Sequence, residues 1–317
     1  MRIVMLEPLG VNKDKILALA SGLKKQGNEF VMYESRAETK NELISRASDA
    51  DIVILANLPF EDEVINACKN LKMISVAFTG VDHIGISLCR EKGIAVRNAA
   101  GYSTASVAEL TFGLMISVLR NIVKCDLAIR CGKTKDGLVG MDLCNKTLGI
   151  VGTGAIGMKV AEIGRAFGCK LLACSRTEKE EARTLGVKFV DLDTLMAESD
   201  IVTLHVPLNK NTRALISEKR IALMKPTGIL INTARGSVVD NKALAEALKK
   251  GCIAGAGIDV FETEPPIESE HPLFSAPNVV LTPHVAFATK EAMVRRAEIA
   301  FDNIISWMTG IEKNIIV

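Results

Sequence analysis

The sequence predicts an α/β protein built from two doubly wound parallel sheets. Short apolar runs alternate with longer amphipathic stretches along the whole chain. A glycine cluster, Gly152-Thr153-Gly154-Ala155-Ile156-Gly157, opens the second half between an apolar run and a helical one. The chain has 317 residues, more than the roughly 250 to 300 at which a single core usually divides.

In the first half, residues 3–6, 30–33, 52–56, 73–78 and 94–96 read as strands. Residues 14–25, 40–48, 61–70 and 86–92 carry polar faces at the helical period, so they read as helices in a five-stranded βα layout with no glycine motif. After Gly101 the longest helix candidate spans residues 105–129, roughly 35 to 40 Å at 1.5 Å per residue. The second wound unit follows through strands at 148–151, 170–174, 188–190, 201–206, 229–232, 253–259 and 279–281. A last helix spans residues 290–308. No linker, low-complexity segment or short repeat separates the halves. The expected domains are 1–99 plus 288–317, and 100–287.

In a strand–turn–helix unit of this kind, the first glycine makes the tight turn, the second lets backbone approach a pyrophosphate, and the third lets helix pack on strand. The helix N-terminus then holds the anion, so the run predicts dinucleotide binding. Lys and Arg total 39 against 37 acidic residues without a basic block, which argues against nucleic-acid and anionic-membrane partners and for a small molecule. Glu7 and Pro8 interrupt the N-terminal apolar stretch, and the uncharged run 110–119 is too short to span a bilayer, so a cytoplasmic protein is expected. Eight cysteines form no CxxC pair and lie mostly within apolar segments, which predicts reduced, buried thiols.

Three later segments share one arrangement, an apolar strand followed at once by an ionisable residue. They end in Arg235-Gly236, in Asp259 through Glu264-Pro265-Pro266, and in Pro283-His284. Ligands of open α/β sheets bind outside the carboxyl ends of the strands, where these charges would gather. Each has a bland reading: Arg235 as a structural ion-pair partner, Glu264 as a solvated loop carboxylate, His284 as a core histidine. Together they supply a cation for a carboxylate, a proton carrier, and a carboxylate to hold that carrier protonated, the requirements of reversible carbonyl reduction. The four histidines and the cysteines lack metal-ligand spacing, and no GxSxG occurs, so a metal site and a serine hydrolase both fit poorly.

With these segments, and with Ala77-Phe-Thr-Gly-Val-Asp-His83, Ser106-Val-Ala-Glu109, His205-Val-Pro207, Asn232-Thr-Ala-Arg-Gly236 and Thr282-Pro-His284, the chain resembles the D-2-hydroxyacid dehydrogenase family over nearly its whole length. The resemblance implies a flavodoxin-like substrate domain, a Rossmann-like cofactor domain, an active cleft between them, and a homodimer whose arm is the long helix. It implies that His284 is the general acid/base, that Arg235 grips the substrate carboxylate, and that Glu264 orients His284 and raises its pKa. Thr79 and Gly80 would give amides to the carboxylate. Gly152, Gly154, Ala155, Ile156, Gly157, Val206, Pro207, Thr233, Ala234, Asp259 and His284 would line the cofactor site. Thr233 reads equally as satisfying its own strand end, and Asp259 as capping a loop.

The expected activity is hydride transfer between NAD(P)H and a small 2-oxo acid of the hydroxypyruvate or glyoxylate type. Leu58, Phe60 and Phe78 leave open an apolar pocket for bulkier oxo acids, although Phe78 reads equally as core filling. A dinucleotide-sensing corepressor-like scaffold is the rival of another class. Segments 55–60 and 75–80 lack the arginines that hold phosphate in some phosphoglycerate-oxidising relatives, so 3-phosphoglycerate is disfavoured. Phe287 resembles the aromatic version found in glycerate and hydroxypyruvate reductases, and reads equally as hinge packing. At the end of the second cofactor-domain strand, Ser175 and Arg176 stand where an NAD site usually has an acidic residue, which predicts NADP preferred with NAD possible. Residues 177–180 read as a capping box that would draw Glu178 into a helix start.

Overall fold

The computed structural model describes residues 1–263 and 267–317. The chain divides into two compact units, Met1–Ser103 with Ala288–Val317, and Thr104–Phe287. The first junction follows Ser103 rather than residue 99. Ala99 N–H donates to the Phe78 carbonyl at 2.9 Å, and Tyr102, 2% exposed, sets its ring against Phe78 with centroids 6.0 Å apart, so this turn stays with the first unit.

The first unit carries β1 (Arg2–Met5), β2 (Glu29–Met32), β3 (Ile52–Leu55), β4 (Met73–Val76) and β5 (Ala95–Asn98), all parallel in the order β2-β1-β3-β4-β5. The Ile52-Val-Ile-Leu55 and Met73-Ile-Ser-Val76 runs are buried along their whole length, as central parallel strands covered on both faces require. Helix Lys13–Lys25 starts where the Asn12 side chain accepts from Lys15 N–H at 2.9 Å. The last helix, Lys290–Met308, returns to this unit and is pinned to it by Ser75 Oγ donating to the Ala300 carbonyl at 2.8 Å and Asn303 Nδ2 donating to the Asn98 carbonyl at 2.8 Å.

The second unit carries β6 (Thr147–Val151), β7 (Lys170–Cys174), β8 (Val187–Phe189), β9 (Ile201–Leu204), β10 (Ile229–Asn232), β11 (Gly255–Ile258) and β12 (Val279–Leu281). The strands are parallel in the order β12-β11-β10-β9-β6-β7-β8. Each sheet reverses its winding once, between β1 and β3 in the first and between β6 and β9 in the second. Both are clamped alike at the amino edge. Asp51 accepts from Arg2 N–H at 2.8 Å and from Lys72 Nζ at 2.7 Å, while Asp200 accepts from Thr147 N–H at 2.8 Å and from Lys225 Nζ at 2.7 Å.

Two sequence expectations change. The helix expected over 105–129 is two helices, Thr104–Leu119 and Ile122–Arg130. The break falls at Asn121, which is left-handed at φ 52°, and the Leu119 carbonyl turns to Met141 N–H at 2.9 Å instead of continuing the helical ladder. The cysteines are all free, but only Cys68 and Cys89 are buried; Cys131, Cys144 and Cys252 are exposed. The exposed ones lie outside the elements, Cys131 just past helix Ile122–Arg130 and Cys144 and Cys252 each three residues before a strand, a distinction that residue type does not encode. Among the described residues, no helix is long and apolar enough to cross a membrane.

Candidate active site

Because the second sheet is parallel, every strand delivers its C-terminal residue to one edge, and the predicted residues of this unit that the structure describes collect there. Gly152 follows β6, Ser175 follows β7, His205 and Val206 follow β9, Thr233 to Arg235 follow β10, Asp259 follows β11, and His284 lies three residues past β12. Thr79 and Gly80 stand at the corresponding edge of the first unit, just past β4, where Asn98 Nδ2 holds the Thr79 carbonyl at 2.8 Å.

The glycine turn fits a dinucleotide by what its missing side chains allow. A Cβ on Gly152, at φ 98°, would fall 2.6 Å from the His205 carbonyl oxygen and 2.9 Å from Val206 Cγ1, so this glycine lets the ends of β6 and β9 meet. A Cβ on Gly157 would collide with the Gly152 carbonyl. Gly154 differs, because its Cβ would meet nothing within 4 Å. Gly154 and Ala155 are exposed at the start of helix Ala155–Ala166, which leaves its N-terminal amides open to an anion. Ser175 joins this turn, its Oγ lying 3.5 Å from Thr153 N–H, and the Thr153 hydroxyl donates to the Thr177 carbonyl at 3.4 Å.

Thr177 does not cap a helix; the helix there is Glu180–Thr184, capped at Lys179 without a side-chain bond. Glu178 lies before it and is engaged by Arg183. Arg176 is exposed and, among the described residues, makes no ion pair.

The Arg235 turn is shaped by Asn232, which opens its segment and whose role the sequence does not reveal. Its side-chain oxygen accepts from Ala234 N–H at 3.0 Å and its Nδ2 donates to the Arg235 carbonyl at 3.0 Å, the habit of an asparagine at a strand end. Arg235 itself donates from Nη1 to the Ala234 carbonyl at 2.8 Å. Gly236 is required here because any Cβ would collide with the Phe261 carbonyl, so the Arg235 turn lies against the backbone leading from β11. Thr233, 8% exposed, shares a hydrogen bond at 3.0 Å with the Thr111 hydroxyl on helix Thr104–Leu119. Val206 and Pro207 begin the loop after β9, where the Pro207 carbonyl accepts from the Thr212 hydroxyl at 2.6 Å. Glu264 lies outside the described residues.

His284 adopts φ 52°, a left-handed value that costs a non-glycine residue on the order of 1 kcal/mol or more and has to be held by its surroundings. Asp259 does the holding. Its carbonyl accepts from His284 N–H at 2.8 Å, and its carboxylate accepts from the Thr282 hydroxyl at 2.6 Å, Val285 N–H at 2.9 Å and Ala286 N–H at 3.0 Å. Burial pushes the Asp259 carboxyl up, opposed by those donors and by His284. The loop-capping reading of Asp259 is thus the one its contacts display. The ring of Phe287 meets His284 edge-on, centroids 5.3 Å apart.

The second histidine of this edge behaves differently. Burial pushes His205 down to about 3, so its imidazole stays neutral, and Nε2 shares a hydrogen bond with the Thr203 hydroxyl at 3.0 Å. Leu58, Phe60 and Phe78 are 4%, 0% and 8% exposed, and Arg296 lies over the Phe78 ring at 5.7 Å. Their contacts are those of packed core. Among the described residues, no cluster of His, Cys, Asp and Glu suits a metal.

Comparison with known proteins places this arrangement. Residues 112–286 match the family described as D-isomer specific 2-hydroxyacid dehydrogenase, NAD binding domain. The chain is similar to a glyoxylate reductase of Thermococcus litoralis, 42% identical over 287 residues that cover 87% of this chain and 86% of the relative. It is also similar to a hydroxypyruvate reductase of Thermotoga maritima, 41% identical over 282 residues, 86% of this chain and 92% of the relative. Among solved structures, an acyclic imino acid reductase (Bsp5) in complex with NADPH and D-Arg superimposes with a TM-score of 0.91 at 31% identity, covering 100% of both chains. With a matching cofactor-domain model over more than half its length and relatives above 40% identity along most of it, the chain belongs to the D-2-hydroxyacid dehydrogenase family.

Proposed function

We propose that the protein reduces small 2-oxo acids of the glyoxylate or hydroxypyruvate type to D-2-hydroxy acids, with NADPH preferred over NADH. The observation that carries the proposal is the single carboxyl edge of the second sheet, which gathers an open anion cradle at Gly154, a guanidinium at Arg235 and an imidazole at His284. Relatives named for glyoxylate and hydroxypyruvate reduction support the substrate class.

A bound dinucleotide supplies the hydride to the carbonyl carbon. The chain's residues do the rest. The Arg235 guanidinium pairs with the substrate carboxylate and draws electron density from the adjacent carbonyl, and the His284 imidazolium gives its proton to the carbonyl oxygen as charge develops there. Glu264, which lies outside the described residues, is assigned the orienting of His284. Amides of Thr79 and Gly80 share the carboxylate. Thr233, Ala234, Val206, Pro207 and Asp259 belong to the cofactor side, and in that role Asp259 also sets the backbone that aims His284.

NADPH preference draws support from the end of β7. Arg176 is exposed for a 2′-phosphate, Ser175 adds a hydroxyl, and the acidic competitor Glu178 is occupied by Arg183. A homodimer draws support from helix Ile122–Arg130, which has no buried residue and exposes Ile122, Val123, Leu127 and Ile129 at 46%, 50%, 59% and 70%. Such an apolar patch suits a second copy of the chain. Eight free thiols suit a cytoplasmic setting.

Initial rates with NADH and NADPH across glyoxylate, hydroxypyruvate, pyruvate, 2-oxoisocaproate and phenylpyruvate test the proposal. Turnover highest with the two small acids is expected. Dinucleotide binding without turnover of any of them would instead indicate the sensing scaffold.

A further inference from the structure

The first unit's sheet reverses its winding between β1 and β3, a place where open α/β sheets ordinarily admit a ligand. Here that place is filled from within. Glu7, two residues past β1, is 2% exposed, and its Oε1 accepts from three successive amides, Ala56 at 2.8 Å, Asn57 at 2.9 Å and Leu58 at 2.9 Å. Successive N–H groups converging on one oxygen form an anion nest. The other oxygen faces Arg36 Nε at 3.5 Å, and the buried Arg296 guanidinium, donating to the Leu9 carbonyl at 2.7 Å, feels the same charge.

Burying a carboxylate is costly unless it is paired and hydrogen-bonded, and these contacts all converge on one short turn. The turn is coupled onward. Ala77 N–H donates to the Leu55 carbonyl at 2.7 Å, Phe60 N–H to the His83 carbonyl at 2.8 Å, and Gly85 N–H to the Phe60 carbonyl at 3.0 Å. These bonds bracket Thr79 and Gly80 from both sides along the chain.

We propose that Glu7 is a positioning residue: its carboxylate occupies the anion nest at the first unit's crossover and so sets the turn 56–60 and, through it, the Thr79-Gly80 segment that receives the substrate carboxylate. The substrate part rests on the function proposed above; the nest itself does not.

The test uses the full-length protein and its Glu7→Ala and Glu7→Gln variants. Three quantities are measured: KM for glyoxylate, KM for the dinucleotide, and Tm in sodium formate against sodium chloride at equal ionic strength. In Glu7→Ala, loss of one charged hydrogen-bonding group should raise the glyoxylate KM roughly tenfold. The dinucleotide KM should stay within about twofold, because the cofactor residues belong to the other unit. Formate, a carboxylate small enough for the vacated nest, should raise the Tm of Glu7→Ala and leave wild type unmoved. Glu7→Gln keeps an accepting oxygen for the amides and should fall between wild type and Glu7→Ala.

An unchanged glyoxylate KM in either folded variant would overturn the positioning role. A formate effect equal in wild type and Glu7→Ala would overturn the nest. If Glu7→Ala does not fold, Glu7→Gln decides: a selective rise of about threefold in the glyoxylate KM supports the role, and no rise overturns it. Should wild type reduce no 2-oxo acid at all, the functional reading fails, while the formate-dependent Tm still reports on the nest.

Discussion

The two units repeat one architecture and treat its crossover in opposite ways. Both wind parallel strands outward from one reversal, and both clamp the amino edge with an aspartate that takes a strand amide and a lysine, Asp51 with Lys72 and Asp200 with Lys225. At the carboxyl edge they diverge. The second unit keeps its crossover open with glycines, so Gly154 and Ala155 stay exposed at the helix start. The first unit closes its crossover with its own Glu7 carboxylate. A parallel sheet therefore supplies donors at its reversal by geometry, and the side chain in the loop after the first strand decides whether those donors serve a ligand or the fold.

The sharpest contrast is catalytic. His284→Ala should lower kcat about 10²- to 10⁴-fold while leaving dinucleotide affinity nearly intact, and stopped-flow or steady-state rates check it. Near wild-type turnover would remove the second unit's edge from the chemistry.

Glycines that follow the first strand of each unit test the crossover itself. Gly157→Ala places a Cβ against the Gly152 carbonyl, which has no room to yield, and should weaken dinucleotide binding by roughly 10²-fold or more, about 3 kcal/mol. Gly10→Ala in the first unit, at φ +74°, meets the flexible end of Met293 at 2.9 Å and should cost stability alone. Fluorescence titration with NADPH beside thermal melts separates them, and equal losses of dinucleotide affinity would break the comparison.

Cofactor choice is the next effect in size. Arg176→Ala should lose about 10- to 150-fold in kcat/KM with NADPH and little with NADH, as charged hydrogen bonds of roughly 1.5 to 3 kcal/mol imply. A wild-type preference for NADH, or an equal loss with both cofactors, would overturn the assignment.

The smallest effect probes what the units share. The Lys72 hydrogen bond holds the Asp51 carboxyl below its ordinary range. At Asp200 burial works the other way but is outweighed by Lys225 and the Thr147 amide, so that carboxyl is held down as well. A depressed folded-state value contributes stability that is present above the unfolded value near 3.8 and disappears as pH falls through the folded one. Asp51→Asn and Asp200→Asn should each lower Tm at neutral pH by about 2 to 4 °C, and the difference from wild type should vanish in acid. Melts between pH 7 and 3 check the sign; a difference that widens in acid would contradict it.

What was legible in the sequence depended on how far apart the deciding partners lie. Gly152 to Gly157, Arg235 and His284 announce themselves because each sits where a run of apolar residues stops, and a strand followed by a glycine turn or an ionisable residue is a local pattern. The succession of strands and helices along the chain is equally local, since alternating periods imply parallel winding; the order of strands within each sheet was not legible in it. The break at Asn121 was illegible, because the helix ends where Met141 takes the Leu119 carbonyl, a contact across 22 residues. Glu178 looked like a helix residue until Arg183 claimed it.

The role of Asp259 as the clamp on His284, and of Glu7 as the occupant of its own unit's nest, depends on partners 23 to 51 residues away. Sequence by itself determined the alternation of strands and helices and which chemistry-bearing residues follow the strands, because strands and turns are set largely by neighbouring side chains. Only the tertiary structure decided which buried carboxylate meets which amides, because satisfying a desolvated polar group requires donors that the chain brings together only by folding.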